Sequence, residues 1–414
     1  MIDFTEFTLN NGLKVLLHED KTTETAVLNL LYKVGSRDEN PQKTGFAHLF
    51  EHLMFGGSAH IENFDDPLQM VGGESNAFTN PDITNYYITI PAVNIETAFW
   101  LESDRMLSLN FNQDVLDVQK KVVVEEFNQR YINQPYGDAW FKLRALAYQV
   151  HPYQWPTIGK DISHIENAGL HDVKDFFQKF YSPGNAILVV AGNVNLDTVK
   201  KLSEKYFGTI KNGMINNNEI PAEPAQTNAR KIETTADVPA DVIFKAFHMG
   251  DRLSKDYYST DLISDILGRG NSSRLYDRLV KQKNIFTNIS AFITGSVDPG
   301  LLLIQGKVNE DIDIALADQN IEEVVEEFNN SSLQDSELQK VKNQAEASVV
   351  FSEVEVITRA MNLAQSAALG VPELVNQESE NIQKVSKEDI IKTSNKILAK
   401  ENCSTLWYRS RSKK

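Results

Sequence analysis

Residues 45–57 read GFAHLFEHLMFGG, and this stretch combines a helical pattern with a cluster of polar side chains. Apolar residues recur in it at spacings of three and four, which predicts an amphipathic helix. These apolar residues are Phe46, Leu49, Phe50 and Leu53. His48 and His52 stand four positions apart, so a helix would place both imidazoles on one face.

The spacing of His48, Glu51 and His52 suits metal chemistry. Two imidazoles on one helical face can chelate Zn²⁺ with Zn–N distances of about 2.0–2.1 Å. Glu51 borders the same face and can reach a water molecule at the metal without being a ligand. The pattern is H-x-x-E-H, the inverted form of H-E-x-x-H. The alternative is a solvated helix face that matches the pattern by chance.

A third ligand is expected from residues 118–130, VQKKVVVEEFNQR. A predicted inward stripe of this helix consists of Val115, Val118, Val122 and Glu126. Glu125 instead continues the polar row of Asp117 and Lys121. Because a buried carboxylate is costly unless it is paired or binds a metal, Glu126 is the preferred ligand. The alternative is a buried Glu126 that pairs with a lysine or an arginine.

The opening residues predict a β-hairpin, because Asn11-Gly12 tolerates the positive φ of a tight turn between Thr5–Leu9 and Leu13–Leu17. Residues 25–34 form a further strand candidate. The polar run from Asn63 to Asp82 is expected to be loop or edge strand. Residues 211–229 are rich in Asn, Pro and Ala, which predicts an exposed linker.

The chain segments before and after this linker end in similar sequences. HDVKDFFQKFYSPGNAILVV (171–190) and KEDIIKTSNKILAKENCSTLW (387–407) both show an amphipathic helix, a short break, an Asn and a strand. At an offset of 217 residues, Asn185 meets Asn402. We interpret this as duplication of one α+β unit, although one such match could arise by chance. The expected domains are 1–212 with the metal motif, a linker 213–228, and a homologous domain 229–414 without it.

Composition excludes several function classes. Of 414 residues one is a cysteine, Cys403, so a metal site must use His, Asp and Glu. A net charge of −16 argues against nucleic acid as a partner. The sequence lacks an apolar run long enough to span a membrane. Because MIDFTEFTLN lacks the features of a signal peptide, we expect a cytoplasmic location, or a periplasmic one if a leader was removed.

These motifs resemble those of the pitrilysin/insulinase family of zinc peptidases, which includes the mitochondrial processing peptidase. H-x-x-E-H is followed by a distant Glu in V-V-V-E-E-F, and further landmarks extend the likeness over nearly the whole chain. They are Gly72–Thr79 (GGESNAFT), Asp82, Thr84, Tyr86, His151-Pro152-Tyr153, Gly159, Tyr181, Pro183 and Asn185. The resemblance implies two homologous α+β domains, each a mostly antiparallel sheet packed with helices.

The resemblance also implies residue roles. His48, His52 and Glu126 would bind Zn²⁺, and Glu51 would be the general base that activates water for hydrolysis of peptides or unfolded segments. Asn76, Ala77, Phe78 and Thr79 would lie beside the metal as an edge strand that binds an extended substrate.

Two departures from the family pattern stand out. Gln119 occupies a position where members often carry a second acidic residue near the metal. In the C-terminal half, Val280 and Thr287 occupy the positions where other members have an Arg and a Tyr that bind the substrate carbonyl. If this alignment is shifted by a few residues, Arg278 or Tyr276 would bind the carbonyl instead. We therefore expect a homologous partner subunit, as a heterodimer or a homodimer. A non-catalytic assembly subunit is the alternative.

Overall fold

The computed structural model describes residues 1–213, 219–330 and 333–411, and these residues contain eleven β-strands and fourteen α-helices. The strands are β1 (Thr5–Thr8), β2 (Lys14–Glu19), β3 (Thr25–Tyr32), β4 (Glu74–Thr79), β5 (Thr84–Pro91), β6 (Ala186–Gly192), β7 (Arg230–Ala236), β8 (Val242–His248), β9 (Phe286–Ile293), β10 (Leu301–Val308) and β11 (Cys403–Ser410).

The helices vary from one turn to five. They are α1 (Phe46–Leu53), α2 (Asp65–Met70), α3 (Ile95–Leu107), α4 (Gln113–Phe127), α5 (Ala139–Ala147), α6 (Ser163–Glu166), α7 (Leu170–Phe180), α8 (Leu196–Phe207), α9 (Tyr257–Gly268), α10 (Ile314–Asn330), α11 (Asp335–Ser352), α12 (Val356–Ala368), α13 (Glu378–Lys384) and α14 (Lys387–Ile397). None of the helices in the described ranges is both long and apolar enough to cross a bilayer.

The predicted N-terminal hairpin is confirmed. β1 pairs with β2 in antiparallel register, with Thr8 opposite Lys14. Gly12 sits in the turn with a φ of +88°, a conformation that glycine adopts without strain. The hairpin forms one edge of a six-stranded sheet with the order β1-β2-β6-β3-β5-β4.

The second sheet repeats the topology of the first. Its order is β7-β11-β8-β10-β9. β2 and β6 run parallel in the first sheet, as β7 and β11 do in the second, while the other neighbours are antiparallel. The second sheet therefore matches strands β2 to β6 of the first, and the expected α+β fold with two homologous halves is confirmed.

The duplicated ending extends to single hydrogen bonds. Asn185 donates its side-chain N–H to the carbonyl of Phe180, between α7 and β6. Asn402 makes the same bond to the carbonyl of Ile397, between α14 and β11. Both pairs are related by the offset of 217 residues that the sequence indicated.

The chain forms two compact units, each assembled from three segments. The first comprises Met1–Asn128, Trp155–Ile220 and Val350–Gln377, and the second comprises Gln129–Gln154, Pro221–Val349 and Glu378–Lys414. In the first unit, α12 packs on β3 and β6, which are almost wholly buried. In the second, α5 packs on β8 and β11. The two units therefore do not follow the linear division of the chain at residues 212 and 229. The periodicity of a helix marks its buried face but does not show which sheet that face covers.

The expected linker 213–228 is only partly an exposed connection. Residues 214–218 lie outside the described residues. Gln226 is buried and donates to the carbonyls of Glu401 and Cys403. The carboxylate of Glu223 accepts three backbone N–H groups of residues 149–151. These two side chains tie the end of the linker segment into the second unit.

Candidate metal centre

Helix α1 places the two histidines of the H-x-x-E-H motif on one face, as the sequence predicted. The four apolar residues of the expected stripe are all buried. The imidazole rings of His48 and His52 lie 4.9 Å apart with their planes perpendicular. Tyr86 of β5 donates its hydroxyl hydrogen to the carbonyl of Phe50 at 3.2 Å, which fixes the helix against the sheet.

Glu126 of α4 completes a cluster with these histidines. Its Oε2 lies 3.5 Å from Nε2 of His48 and 3.4 Å from Nε2 of His52. One ligand atom from each of the three residues lies within 4.8 Å of the others. Donor atoms around a tetrahedral zinc ion with bonds of about 2.0–2.1 Å are about 3.4 Å apart, so the set has the dimensions and the chemistry of a zinc site.

The nitrogen of His52 that faces Glu126 provides an independent test of this fit. Nε2 of His52 is shielded from solvent and makes no hydrogen bond to any described residue. A buried polar atom without a partner is unfavourable, and a metal ion at this place would satisfy it. His48 is buried, with 9% exposure, whereas the side chain of His52 is 24% exposed, so the cluster lies at the border of the buried helix face.

In the structure Glu126 belongs to the cluster and Glu125 does not. The predicted inward stripe of α4 is nevertheless wrong. Val118 and Val122 are 55% and 43% exposed, whereas Leu116 and Val123 are buried. The inward face instead runs through Leu116, Gln119, Val123 and Glu126, at spacings of three, four and three. Glu125 is exposed. Three consecutive valines, 122–124, point in three different directions around a helix, so their spacing does not fix which face is inward.

Gln119 and Glu51 stand on the two helices that carry the cluster, without belonging to it. Gln119 is half-buried on the inward face of α4, and its amide lies beside Gly56, just beyond α1. Glu51 is half-buried on α1. Burial raises the pKa of Tyr86 and Tyr181 well above the usual range, and the nearby charge of Glu51 adds to both shifts. These phenols therefore stay neutral beside Glu51.

Asn76–Thr79 lie on β4, which forms the second edge of the first sheet. The strand pairs only with β5 among the described residues, with Ala77 opposite Tyr86, and it packs beside α1. Asn76 is exposed. The expected edge strand is confirmed, whereas helix α2 within the preceding polar run is a correction, because no apolar periodicity marks its six residues.

Comparison with protein families identifies the family of the chain. Residues 14–160 match the family model described as insulinase, peptidase family M16, and residues 168–345 match the model described as the peptidase M16 inactive domain. The chain belongs to the M16 family. The region that matches the insulinase model contains α1 and α4, so His48, His52 and Glu126 all lie within it.

Curated M16 relatives match this chain over most of its length. A zinc protease named PqqE from Helicobacter pylori is 29% identical over 417 residues, which cover 97% of this chain and 92% of that protein. An uncharacterized zinc protease, YmxG of Bacillus subtilis, is 24% identical over 84% of this chain and 83% of its own length. The β subunit of the mitochondrial processing peptidase of Caenorhabditis elegans is 28% identical over 52% of this chain and 47% of its own.

Solved M16 structures share the fold. The crystal structure of a protease from Helicobacter pylori superimposes with a TM-score of 0.92 at 29% identity, over 99% of this chain and 100% of that one. An M16 inactive domain from Pseudomonas fluorescens reaches 0.88 at 18% identity, over 99% and 98% of the two chains, a likeness of fold alone.

The second unit of this M16 chain carries different groups on the corresponding elements. Helix α9 has no histidine. Val280 packs against the core of this unit, and Thr287 donates its hydroxyl hydrogen to the carbonyl of Lys307 at 3.2 Å. The guanidinium of Arg278 pairs with Glu327 at 2.5 Å.

Sequence reasoning missed Glu39, a buried acid beside the start of α1. Its two carboxylate oxygens accept the N–H groups of Gly45 and Ala47. Burial raises its pKa, and the N–H groups of Gly45 and Ala47 lower it by favouring the ionised carboxylate that accepts both bonds. No periodic signal marks a single acid in a loop, so only the folded geometry reveals this contact.

Proposed function

We propose that this chain is a zinc metallopeptidase that hydrolyses peptides or unfolded polypeptide segments. The observation that carries the proposal is the convergence of one atom each from His48, His52 and Glu126, together with the buried Nε2 of His52, which makes no hydrogen bond to a described residue. These three residues would hold the ion. When bound, zinc acidifies water and polarises the peptide carbonyl.

The remaining roles belong to side chains of the same unit. Glu51 takes a proton from the attacking water and passes it to the leaving amine, which is the work of a general base and then of a general acid. The edge of β4 at Asn76–Thr79, which pairs with no strand of the described residues, aligns an extended peptide by main-chain hydrogen bonds. Such bonds do not select side chains, so they favour a broad range of peptides. Gln119 stays neutral and can offer only hydrogen bonds.

Metal analysis combined with a quenched-fluorescence peptide assay tests this proposal. We expect about one zinc ion per chain in the purified protein and in Glu51→Gln, because Glu51 is not a ligand. E51Q should lower the turnover number by a factor of about 10²–10⁴, the usual contribution of a general base. Glu125→Gln, on the exposed side of α4, is the matched control and should keep full activity. Equal turnover of E51Q and the original chain would refute the mechanism.

A homologous partner subunit is the second part of the proposal. Val280 and Thr287 supply neither a cation nor a phenol, so an Arg and a Tyr would come from another chain. One relative is itself named as a subunit, of the mitochondrial processing peptidase. Mixing this chain with a homologue that carries Arg and Tyr should raise peptide cleavage strongly. Full activity of the chain alone would contradict the need for a partner.

A non-catalytic subunit is the competing function. It is favoured by the match of residues 168–345 to the family model described as an inactive domain. Such a subunit would show no peptidase activity even with a partner, and E51Q would then behave like the original chain in every mixture. The cytoplasmic location stays a prediction.

A further inference from the structure

The side chain of Glu39 binds the beginning of helix α1, although Glu39 lies six residues before Gly45 in the sequence. Its side chain is buried, with 5% exposure. Oε2 accepts the N–H of Gly45 at 2.9 Å, and Oε1 accepts the N–H of Ala47 at 2.8 Å. Each carboxylate oxygen therefore engages one backbone donor at the N-terminus of the helix that carries both histidines.

Helix α1 cannot cap itself. The residue before it, Gly45, has no side chain to accept the free N–H groups of the first turn, which is the usual task of an N-cap residue. Gly45 has a φ of +89°, and a Cβ atom there would lie 2.7 Å from the carbonyl oxygen of Ile158. The position thus requires glycine, so the accepting oxygen must come from elsewhere in the chain.

The first turn of α1 is important because it contains His48, one of the three residues of the candidate metal site. The helix has eight residues, and helices of this length are not stable by themselves in water. His48 is the third residue, within the turn that Glu39 holds. His48 and His52 face the same point only while the backbone between them is helical.

Neighbouring contacts at this end of α1 do not replace Glu39. The hydroxyl of Thr44 accepts the N–H of Lys160 at 2.7 Å and contacts Nδ1 of His164 at 2.8 Å. These bonds fix the residue before Gly45. They leave the N–H groups of Gly45 and Ala47 to the carboxylate of Glu39.

We infer that Glu39 is a positioning residue of the metal centre, which sets the place of His48 relative to His52 and Glu126 by capping α1. The inference rests on the proposed function only in requiring that these three side chains bind a divalent metal ion. The bonds described for Glu39 go to the backbone of Gly45 and Ala47 and not to His48, His52 or Glu126, so its role acts through the helix backbone.

Cobalt binding by the full chain tests the inference without an activity assay. Metal-free protein is titrated with Co²⁺, and the dissociation constant and the visible absorption bands are recorded for the original chain and for Glu39→Gln. The amide of Gln can accept one N–H group but presents its own N–H₂ to the other. We expect E39Q to bind Co²⁺ about 10-fold more weakly, with altered band intensities, as for other residues that orient metal ligands.

Asn195→Ala is the matched control. The side chain of Asn195 accepts the N–H of Thr198 at 2.9 Å and caps α8 of the same unit, away from the cluster. Both variants should lower the thermal midpoint, but N195A should leave the Co²⁺ affinity and spectrum unchanged. This comparison separates a positioning role from a general loss of stability.

Unchanged cobalt affinity and spectrum in E39Q would overturn the inference. An original chain that binds no Co²⁺ would instead contradict the metal site itself, and with it the proposed function. If E39Q does not fold, Glu39→Asp takes its place, since the shorter carboxylate cannot reach both N–H groups. The same affinity loss is expected, and unchanged binding by that variant would overturn the inference equally.

Discussion

Nε2 of His52 lies 3.4 Å from Oε2 of Glu126, although the two residues stand on different helices far apart in the sequence. The approach depends on α1 and α4 packing against each other within the first unit. Nε2 of His52 makes no hydrogen bond to a described residue, and the metal ion that we propose between the two side chains would satisfy it.

Replacing Glu126 by Gln should weaken zinc binding by a factor of about 100 or more, because losing a ligand costs at least as much as losing a residue that orients one. Zinc affinity measured by competition with a chromophoric chelator gives the result. Glu125→Gln changes the neighbouring exposed acid and should bind zinc like the original chain. Equal losses in both variants would show that the cluster is not the binding site.

Zinc should stabilise the folded chain. At a free zinc concentration about 100 times the dissociation constant, the free energy of unfolding should rise by about 2.7 kcal/mol. Denaturant unfolding with zinc and with a chelator measures the difference. In His52→Ala the difference should largely vanish, and a zinc effect of the original size in that variant would place the bound ion elsewhere.

Asp261→Asn should stabilise the second unit at neutral and alkaline pH. Burial, and then the charge of Asp265, raise the pKa of Asp261 from 3.8 to about 6. The folded state therefore holds an extra proton between about pH 4 and pH 6, and its stability falls as the pH rises through this window. Above it, D261N should be more stable by about 2–3 kcal/mol, since one pKa unit corresponds to about 1.4 kcal/mol.

Denaturant unfolding from pH 3.5 to pH 8 measures this effect. The curves of D261N and the original chain should converge below about pH 4, where the carboxyl is protonated in both the folded and the unfolded state. Asp311→Asn, at an exposed position of the same unit, is the control and should show no such divergence. A D261N variant that is less stable at pH 8 would contradict the assignment.

Leu363→Ala should destabilise the chain by about 2–5 kcal/mol. Leu363 lies on α12, is fully buried and belongs to the core formed with β3 and β6. Phe351→Ala, at a site 75% exposed, should change stability by no more than about 0.5 kcal/mol. The urea midpoint reports both values. If the two variants have equal midpoints, α12 does not cover the first sheet.

Much of the first unit could be predicted from local patterns. The spacing of apolar residues predicts the buried face of α1, and Asn11-Gly12 predicts the N-terminal hairpin. Both predictions depend only on residues that are close in sequence. The landmark stretch at Asn76–Thr79 gave the edge strand. The repeated helix–strand ending indicated the duplication that the two sheets display.

Other features depend on contacts distant in sequence. The valine-rich sequence of α4 fits more than one inward face, so it predicts Val118 and Val122 to be buried, whereas both are exposed. The placement of α12 on the first sheet and of α5 on the second has no local signal, since each apolar face could cover either sheet. Glu39 reveals its role only where the folded chain brings it to Gly45 and Ala47.

Crystals of the full chain grown with zinc, measured with anomalous scattering at the zinc absorption edge, test the central claim most directly. We expect one strong peak bonded to Nε2 of His48, Nε2 of His52 and a carboxylate oxygen of Glu126, at about 2.0–2.2 Å from each. A peak at another group of residues, or three side chains that point apart with no peak between them, would contradict the account.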